Sequence, residues 1–202
     1  MPNWCNNFVQ INHSDPAKIA ELAAAINDNR FCDFVIPVPQ DLRDTVAGWP
    51  GADKEAEHEA QKARNIEKYG AKDWYDFCVS RWGTKWDVDA YSGAEVSEDG
   101  KHLSVGFDSA WSPPEGVYAA LVEQGFSVDA MYYEPGMAFC GRWVNGDDDY
   151  YELGQMTSEE VAAEIDPDID EQFAISENMA QWEEDNREDE DLDDVKLPPH
   201  TD

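Results

Sequence analysis

Apolar and polar residues alternate with a period of two in several short runs, the signature of half-buried strands. Asn7–Asn12 (NFVQIN) alternates around Val9 and Ile11. Trp86–Tyr91 and His102–Phe107 alternate cleanly, with Glu98-Asp99-Gly100 as the turn between them, so the two predict a hairpin. Phe126–Tyr133 and Ala138–Val144 predict a second antiparallel pair joined by the turn Glu134-Pro135-Gly136. Asn145-Gly146 followed by Asp147–Asp149 reads as a further turn, with Tyr150–Leu153 as the returning strand.

Helical spacing separates these runs. Ser14-Asp15-Pro16 is a helix-start signal, and Ile19, Leu22, Ala23 and Ile26 recur on one face of a helix over 16–28. Phe34–Pro39 reads as extended, since its prolines bar it from a central strand. Residues 40–83 read as a helical insertion: a highly charged stretch over 53–69, then a short helix carrying Trp74, Phe77, Cys78 and Trp82 and ending at Gly83. Pro113-Pro114 opens a helix with Val117, Leu121 and Val122, ended by Gly125. The order strand, helix, strand, strand, helix, strand, with an added hairpin, predicts an α+β fold. It is a ferredoxin-like split βαβ domain over 1–154, and another α+β sandwich with the same elements is the alternative.

Residues 155–202 read as an acidic tail, helical or disordered. Thr157-Ser-Glu-Glu160 is a capping box that starts a helix near 158, and Asp166-Pro167 ends it. From Ile169, the residues Phe173, Met179 and Trp182 give a weak apolar stripe to another helix.

Charge changes the picture most. The chain holds 45 acids against 14 Lys and Arg, a net −31 in 202 residues. From Asp147 to the end there are 22 acids and two bases, Arg187 and Lys196, a balance of −20. Charge of this size disfavours free nucleic acid and anionic membrane as partners and favours basic protein surfaces, including those built to hold nucleic acid. Glu183–Asp194 (EEDNREDEDLDD) places nine acids in 12 residues. As a helix it would carry one charge per ~2 Å, near the ~1.7 Å of duplex DNA. Asp is a poor helix former and neighbouring carboxylates repel, so disorder in the free state is the expectation, with ordering on a basic partner.

Other chemistry is sparse. Asp166, Asp168, Asp170 and Glu177 fall at positions 1, 3, 5 and 12 of an EF-hand-like loop, but position 6 is Glu171, where the turn wants Gly. The competing reading is a helix stop followed by acids that suit the next helix dipole. His13, His58, His102 and His200 are scattered, and no zinc spacing, Walker loop or GxGxxG is present. Ser109, beside Asp108, has no base partner and reads as turn chemistry, and Asp147–Asp149 read as a turn tip. Cys5, Cys32, Cys78 and Cys140 form no CxxC pair and read as reduced. Trp74, Trp82, Trp86 and Trp111 read mostly as core. Asp87, Asp89 and Asp129 on the strands oppose nucleic-acid binding by the sheet. No apolar window is long enough to span a membrane, and the N-terminal residues lack a signal-peptide pattern, so a cytoplasmic location is expected.

Two motifs carry a resemblance. The opening MPNWCN (Met1–Asn6) and FDSAWSPP (Phe107–Pro114), with the strands around Tyr133–Gly136 and Phe139–Gly141, resemble the YubB-like ferredoxin-like family of phage, plasmid and genomic-island proteins. The resemblance covers roughly 1–155, transfers no catalytic residues, and implies an accessory protein of a mobile element. Such a source, joined to the charge, points to a non-enzymatic DNA mimic that blocks a host restriction, CRISPR or other DNA-processing complex. It would need no cofactor and act as a monomer or weak homo-oligomer. The expected partner-binding residues are Trp182, Glu183, Glu184, Asp185, Glu188, Asp189, Glu190, Asp191, Asp193 and Asp194. The alternative is an interaction module that binds a host protein through the insert and the Trp111-Ser112-Pro113-Pro114 loop, with a tail that only aids solubility.

Overall fold

In the computed structural model, which describes residues 3–194, with side chains through Asn186, the first alternating run becomes the central strand of a seven-stranded sheet. Strand β1 (Trp4–Asn12) buries Cys5, Asn7, Val9 and Ile11 on one face and pairs antiparallel with two neighbours. These are β4 (His102–Ala110), with Trp4 opposite Ala110, and β5 (Ser127–Glu134), with Val9 opposite Ala130. Two short strands, β2 (Asp89–Ala90) and β3 (Glu95–Val96), pair with the far side of β4. On the other side β5 pairs with β6 (Phe139–Val144), and β6 with β7 (Asp147–Glu152). Since β1 and β2 flank β4, and helix α1 (Pro16–Asn27) connects them by way of the insertion, the topology is the expected split βαβ. Helix α6 (Glu115–Glu123) joins β4 to β5. Both helices pack on the same face of the sheet, where Ile19, Leu22, Val117, Tyr118 and Leu121 meet Val9, Val105, Phe107 and Ala130 in the main core.

The insertion starts earlier than the prolines suggest. Phe31–Val35 is a helix, α2, where the sequence pattern predicts an extended segment from Phe34. Its free N-terminal N–H groups at Cys32 and Asp33 are taken by the carboxylate of Asp87, at 2.8 and 2.9 Å. A cap 54 residues downstream leaves no local signal. Helices α3 (Gln40–Arg43), α4 (Glu55–Tyr69) and α5 (Trp74–Arg81) follow. Helix α4 buries only His58 and Asn65 and lies along the outside, tethered by the His58 ring to Val46 O (2.9 Å) and by Asn65 to Lys72 O (2.9 Å).

Two strands differ from expectation. The 86–91 run forms a strand only at Asp89–Ala90, with one further bond from the Tyr91 N–H to Gly106 O (3.0 Å), because the chain then leaves the edge through Gly93 (φ +78°) before pairing again as β3. Asp147–Asp149 sit in β7, not at a turn tip: Asn145 and Gly146, both at positive φ, close a two-residue turn that sets Val144 opposite Asp147.

The larger difference lies after residue 155, where the segment read as a tail packs as three helices on the second face of the sheet. Thr157 and Glu160 form the expected capping box for α7 (Ser158–Glu164), and Asp166 caps α8 (Pro167–Phe173). Ala174, left-handed at φ +50°, breaks the chain before α9 (Ile175–Asp194). Val161, Ile165, Ile169 and Ile175 join Cys140 and Leu153 in a second core, flanked by Met131, Tyr133, Phe173 and Met179. The division expected between 154 and 155 is therefore bridged by buried apolar contact. Arg142 on β6 adds a polar clasp, with Asp129 at 2.9 and 2.8 Å, Asp166 at 3.0 Å and Asp168 at 3.1 Å.

Candidate functional site

The EF-hand-like spacing does not become a loop. Pro167–Phe173 is helical, Asp166 and Asp168 are engaged by Arg142, and Asp170 accepts from the backbone and hydroxyl of Ser176 at 2.7 and 2.6 Å. Glu177 lies in the first turn of α9. Among the described residues no group of three or more such side chains is placed to hold a metal ion. Ser109 is buried, donates to Ser112 O (2.7 Å) and accepts from Asn7 (2.9 Å), whose amide oxygen in turn accepts from Tyr118 (3.1 Å). This closed network fixes the end of β4. The four cysteines are free and buried, and burial pushes their thiols up, to about 12 for Cys78 and Cys140, so they stay protonated at neutral pH. No helix among the described residues is long and apolar enough to cross a membrane.

Two surfaces remain. The first is the acidic layer, where the residues expected to bind a partner are not equivalent. The Glu183 carboxylate accepts the Ser158 N–H (2.9 Å) and hydroxyl (2.8 Å), so it fastens α9 to the N-terminal end of α7, where negative charge suits the helix dipole. Trp182, expected as an edge anchor, is 68% exposed. Glu184 and Asp185 are exposed, and Asp185 accepts the Gln181 amide (2.8 Å). Glu188, Asp189, Glu190, Asp191, Asp193 and Asp194 continue the helix, and their side chains lie outside the described residues.

The second surface is aromatic. Trp111 sits at φ +70°, a conformation a bulky residue adopts only when its surroundings enforce it. Here its N–H donates to Asn3 O (3.0 Å), and the Ser112 hydroxyl donates to Gly83 O (2.6 Å). Of the four loop residues singled out from sequence, Pro113 and Pro114 are buried and Trp111 alone is thrust outward. Its ring stacks on Trp86 (6.4 Å between centroids, 25° between planes) and meets the edge of Tyr75 (6.5 Å). Trp4 extends the group through Trp86 (6.2 Å). Trp4, Trp86 and Trp111 are 45, 39 and 40% exposed, so the core assignment holds for Trp82 and fails for Trp86 and Trp111. The Lys85 ammonium lies 4.2 Å from the Trp86 ring centre, 5.5 Å from Tyr75 and 5.6 Å from Trp111. Sequence reading missed Trp4, Tyr75 and Lys85, because β1–β4 pairing and α5 packing bring them together from separate segments.

Electrostatics gives a stability prediction. Burial raises the Asp87 carboxyl even though it accepts three backbone N–H groups, and burial together with the nearby Asp148 charge raises Glu115. Groups raised in the folded state bind protons before they do in the unfolded chain, so stability rises as pH falls through their folded values toward the ordinary carboxylate range near ~4. Relief of self-repulsion at net −31 acts in the same direction. Glu160, lowered by its Thr157 partners, loses its contribution only at lower pH. The thermal midpoint should therefore be higher at pH 5.5 than at pH 8, and salt at pH 8 should mimic part of the gain. A midpoint that falls over that interval in calorimetry would refute this balance.

No family model matches the chain, and no curated protein matches it. Among solved structures it is similar to a crystal structure of a protein api92 from Yersinia pseudotuberculosis, described with the family model DUF1281. The identity is 13% and the TM-score 0.39, over 76% of this chain and 99% of that one.

Proposed function

We propose that this chain is a non-enzymatic acidic protein that occupies a basic, nucleic-acid-binding surface of a partner complex. The observation that carries this reading is the mounting of α9. The helix is continuous from Ile175, which is fully buried in the second core, through Glu183, fastened to Ser158, to Asp194. Eight of the nine acids of 183–194 follow that fastening point. A helix already formed and anchored does not pay the ordering cost of a disordered tail on binding. The charge spacing of ~2 Å along its axis approximates that of a duplex. The motifs read as YubB-like in the sequence, which no family model matches, point toward a host restriction, CRISPR or other DNA-processing complex in the cytoplasm as the partner.

The test compares the full chain with a chain ending at Asn186, which keeps the Glu183–Ser158 fastening and removes seven acids and two bases. Both are used as bait in nuclease-treated lysate at low and high salt, and the captured complex is then assayed for DNA binding. The full chain is expected to capture a DNA-handling complex at low salt and inhibit it, with the shortened chain at least ~10-fold weaker. Equal capture with equal salt dependence by both chains would sink the proposal.

The exposed aromatic group favours a second reading, in which Trp4, Trp86 and Trp111 form the partner-binding surface, as contiguous exposed apolar patches commonly do. In that case Trp111→Ala abolishes capture and the shortened chain binds normally.

A further inference from the structure

Three rings converge on one cation. Tyr75 from α5, Trp86 from the segment before β2, and Trp111 from the β4–α6 loop surround the Lys85 ammonium at 4.2–5.6 Å. The rings also have contacts that do not involve Lys85. Trp111 is fixed by its backbone bond to Asn3, Trp86 by stacking on Trp111 and Trp4, and Tyr75 by its edge contacts with Trp74 and Trp111. Aromatic faces arranged in this way attract a cation through the ring quadrupole.

We propose that Tyr75, Trp86 and Trp111 form a cation box for an arginine side chain of the partner, and that Lys85 is an internal stand-in which that arginine displaces. This proposal rests on the reading of the aromatic face as an interaction surface, and it does not require α9. Among the described residues, no carboxylate lies within ion-pairing distance of the Lys85 ammonium. Lys85 also borders a cleft of about 240 Å³, whose lining includes Val38, Trp74 and Trp82 with the charged Arg43 and Asp87.

The exchange is favourable for a physical reason. An ammonium is compact and strongly hydrated, so it gains most by returning to water, whereas a guanidinium is weakly hydrated, planar and stacks on aromatic faces. The field of a chain at −31 concentrates cations of any kind near its surface, and the box adds a geometric preference among them.

The test uses N-acetyl-arginine-amide as the probe, with N-acetyl-lysine-amide and tetramethylammonium as comparisons. Binding is followed by the indole N–H resonances of the full chain in NMR titrations. Lys85→Met, which keeps an apolar stem and removes the charge, empties the box. This variant should bind the arginine probe at roughly millimolar concentration, at least ~10-fold more tightly than the native chain, with the shifts centred on Trp86 and Trp111. Adding Trp111→Ala should remove the binding. The chain ending at Asn186 should bind the probe as the full chain does, which separates failure of this site from failure of the acidic-helix reading. The proposal is overturned if Lys85→Met binds no better than the native chain, if the shifts spread over the acidic helices, or if lysine or tetramethylammonium is preferred. Should Lys85→Met fail to fold, as read by its circular dichroism, Lys85 is a structural strut and the exchange is likewise excluded.

Discussion

Gly116→Ala is expected to destabilise the protein by more than ~4 kcal/mol, beyond the usual range for adding one methyl group to a packed site. Gly116 is the second residue of α6, and its N–H donates to Trp82 O at 3.2 Å, so the start of α6 lies directly on the end of α5. An added Cβ would be driven into the Arg81 carbonyl oxygen and within 2.9 Å of its carbonyl carbon. These are backbone atoms at a helix terminus and cannot rotate away, so the helices must separate. At ~2–4 °C per kcal/mol, the thermal midpoint should fall by at least ~8 °C. Gly48, where an added Cβ would meet nothing within 4 Å, is the control, and its alanine variant should change stability by under ~0.5 kcal/mol. Urea unfolding of the two variants checks the contrast, and a Gly116→Ala chain of native stability would contradict the close approach. The same contact sets Tyr75 on α5 beside Trp111 at the entry to α6, so the variant should also perturb the emission of the exposed indoles.

That dependence explains what the sequence could and could not display. Strands β1, β4, β5 and β6 and helices α1 and α6 were legible because each buries one regular face, with signals such as Asp15-Pro16 and Gly125 marking the ends. Features made by distant partners were not legible. Helix α2 depends on the carboxylate of Asp87, and the break in the edge strand depends on Gly93 and on the Asn27 side chain that accepts the Ala94 N–H at 2.9 Å. The aromatic group draws on four separated segments, and only the register Trp4 opposite Ala110 and the packing of α5 bring them together. The second core was hidden differently. Val161, Ile165, Ile169 and Ile175 are single apolar residues set among acids, and three helices share them, so no one helix shows a strong stripe. Acidity that reads as a free tail is compatible with packing, because the carboxylates lie outside those few buried positions or are engaged by Arg142, Ser158 and Ser176.

Ile169→Ala should open that layer selectively. Ile169 is fully buried and is the one buried residue of α8, the helix in contact with β5 and β6. Truncating it should cost roughly 2–5 kcal/mol, from lost transfer energy plus the cavity left behind. The chain from Asp147 onward carries a balance of −20, so repulsion already works against holding these helices on the sheet, and Arg142 offsets only part of it. The loss should therefore appear as local opening. Amide hydrogen exchange over 158–186 should accelerate at least ~30-fold, while β1, β4 and α6 keep native protection. Uniform acceleration along the chain would instead show that the two cores unfold as one unit. The consequence for binding follows from the mounting of α9. The variant keeps every carboxylate, so the salt dependence of capture should be retained. Its affinity should fall, because the helix must then be re-anchored at the moment of binding. If affinity is unchanged while the layer exchanges freely, the charge alone suffices and the anchored geometry of α9 plays no part in recognition.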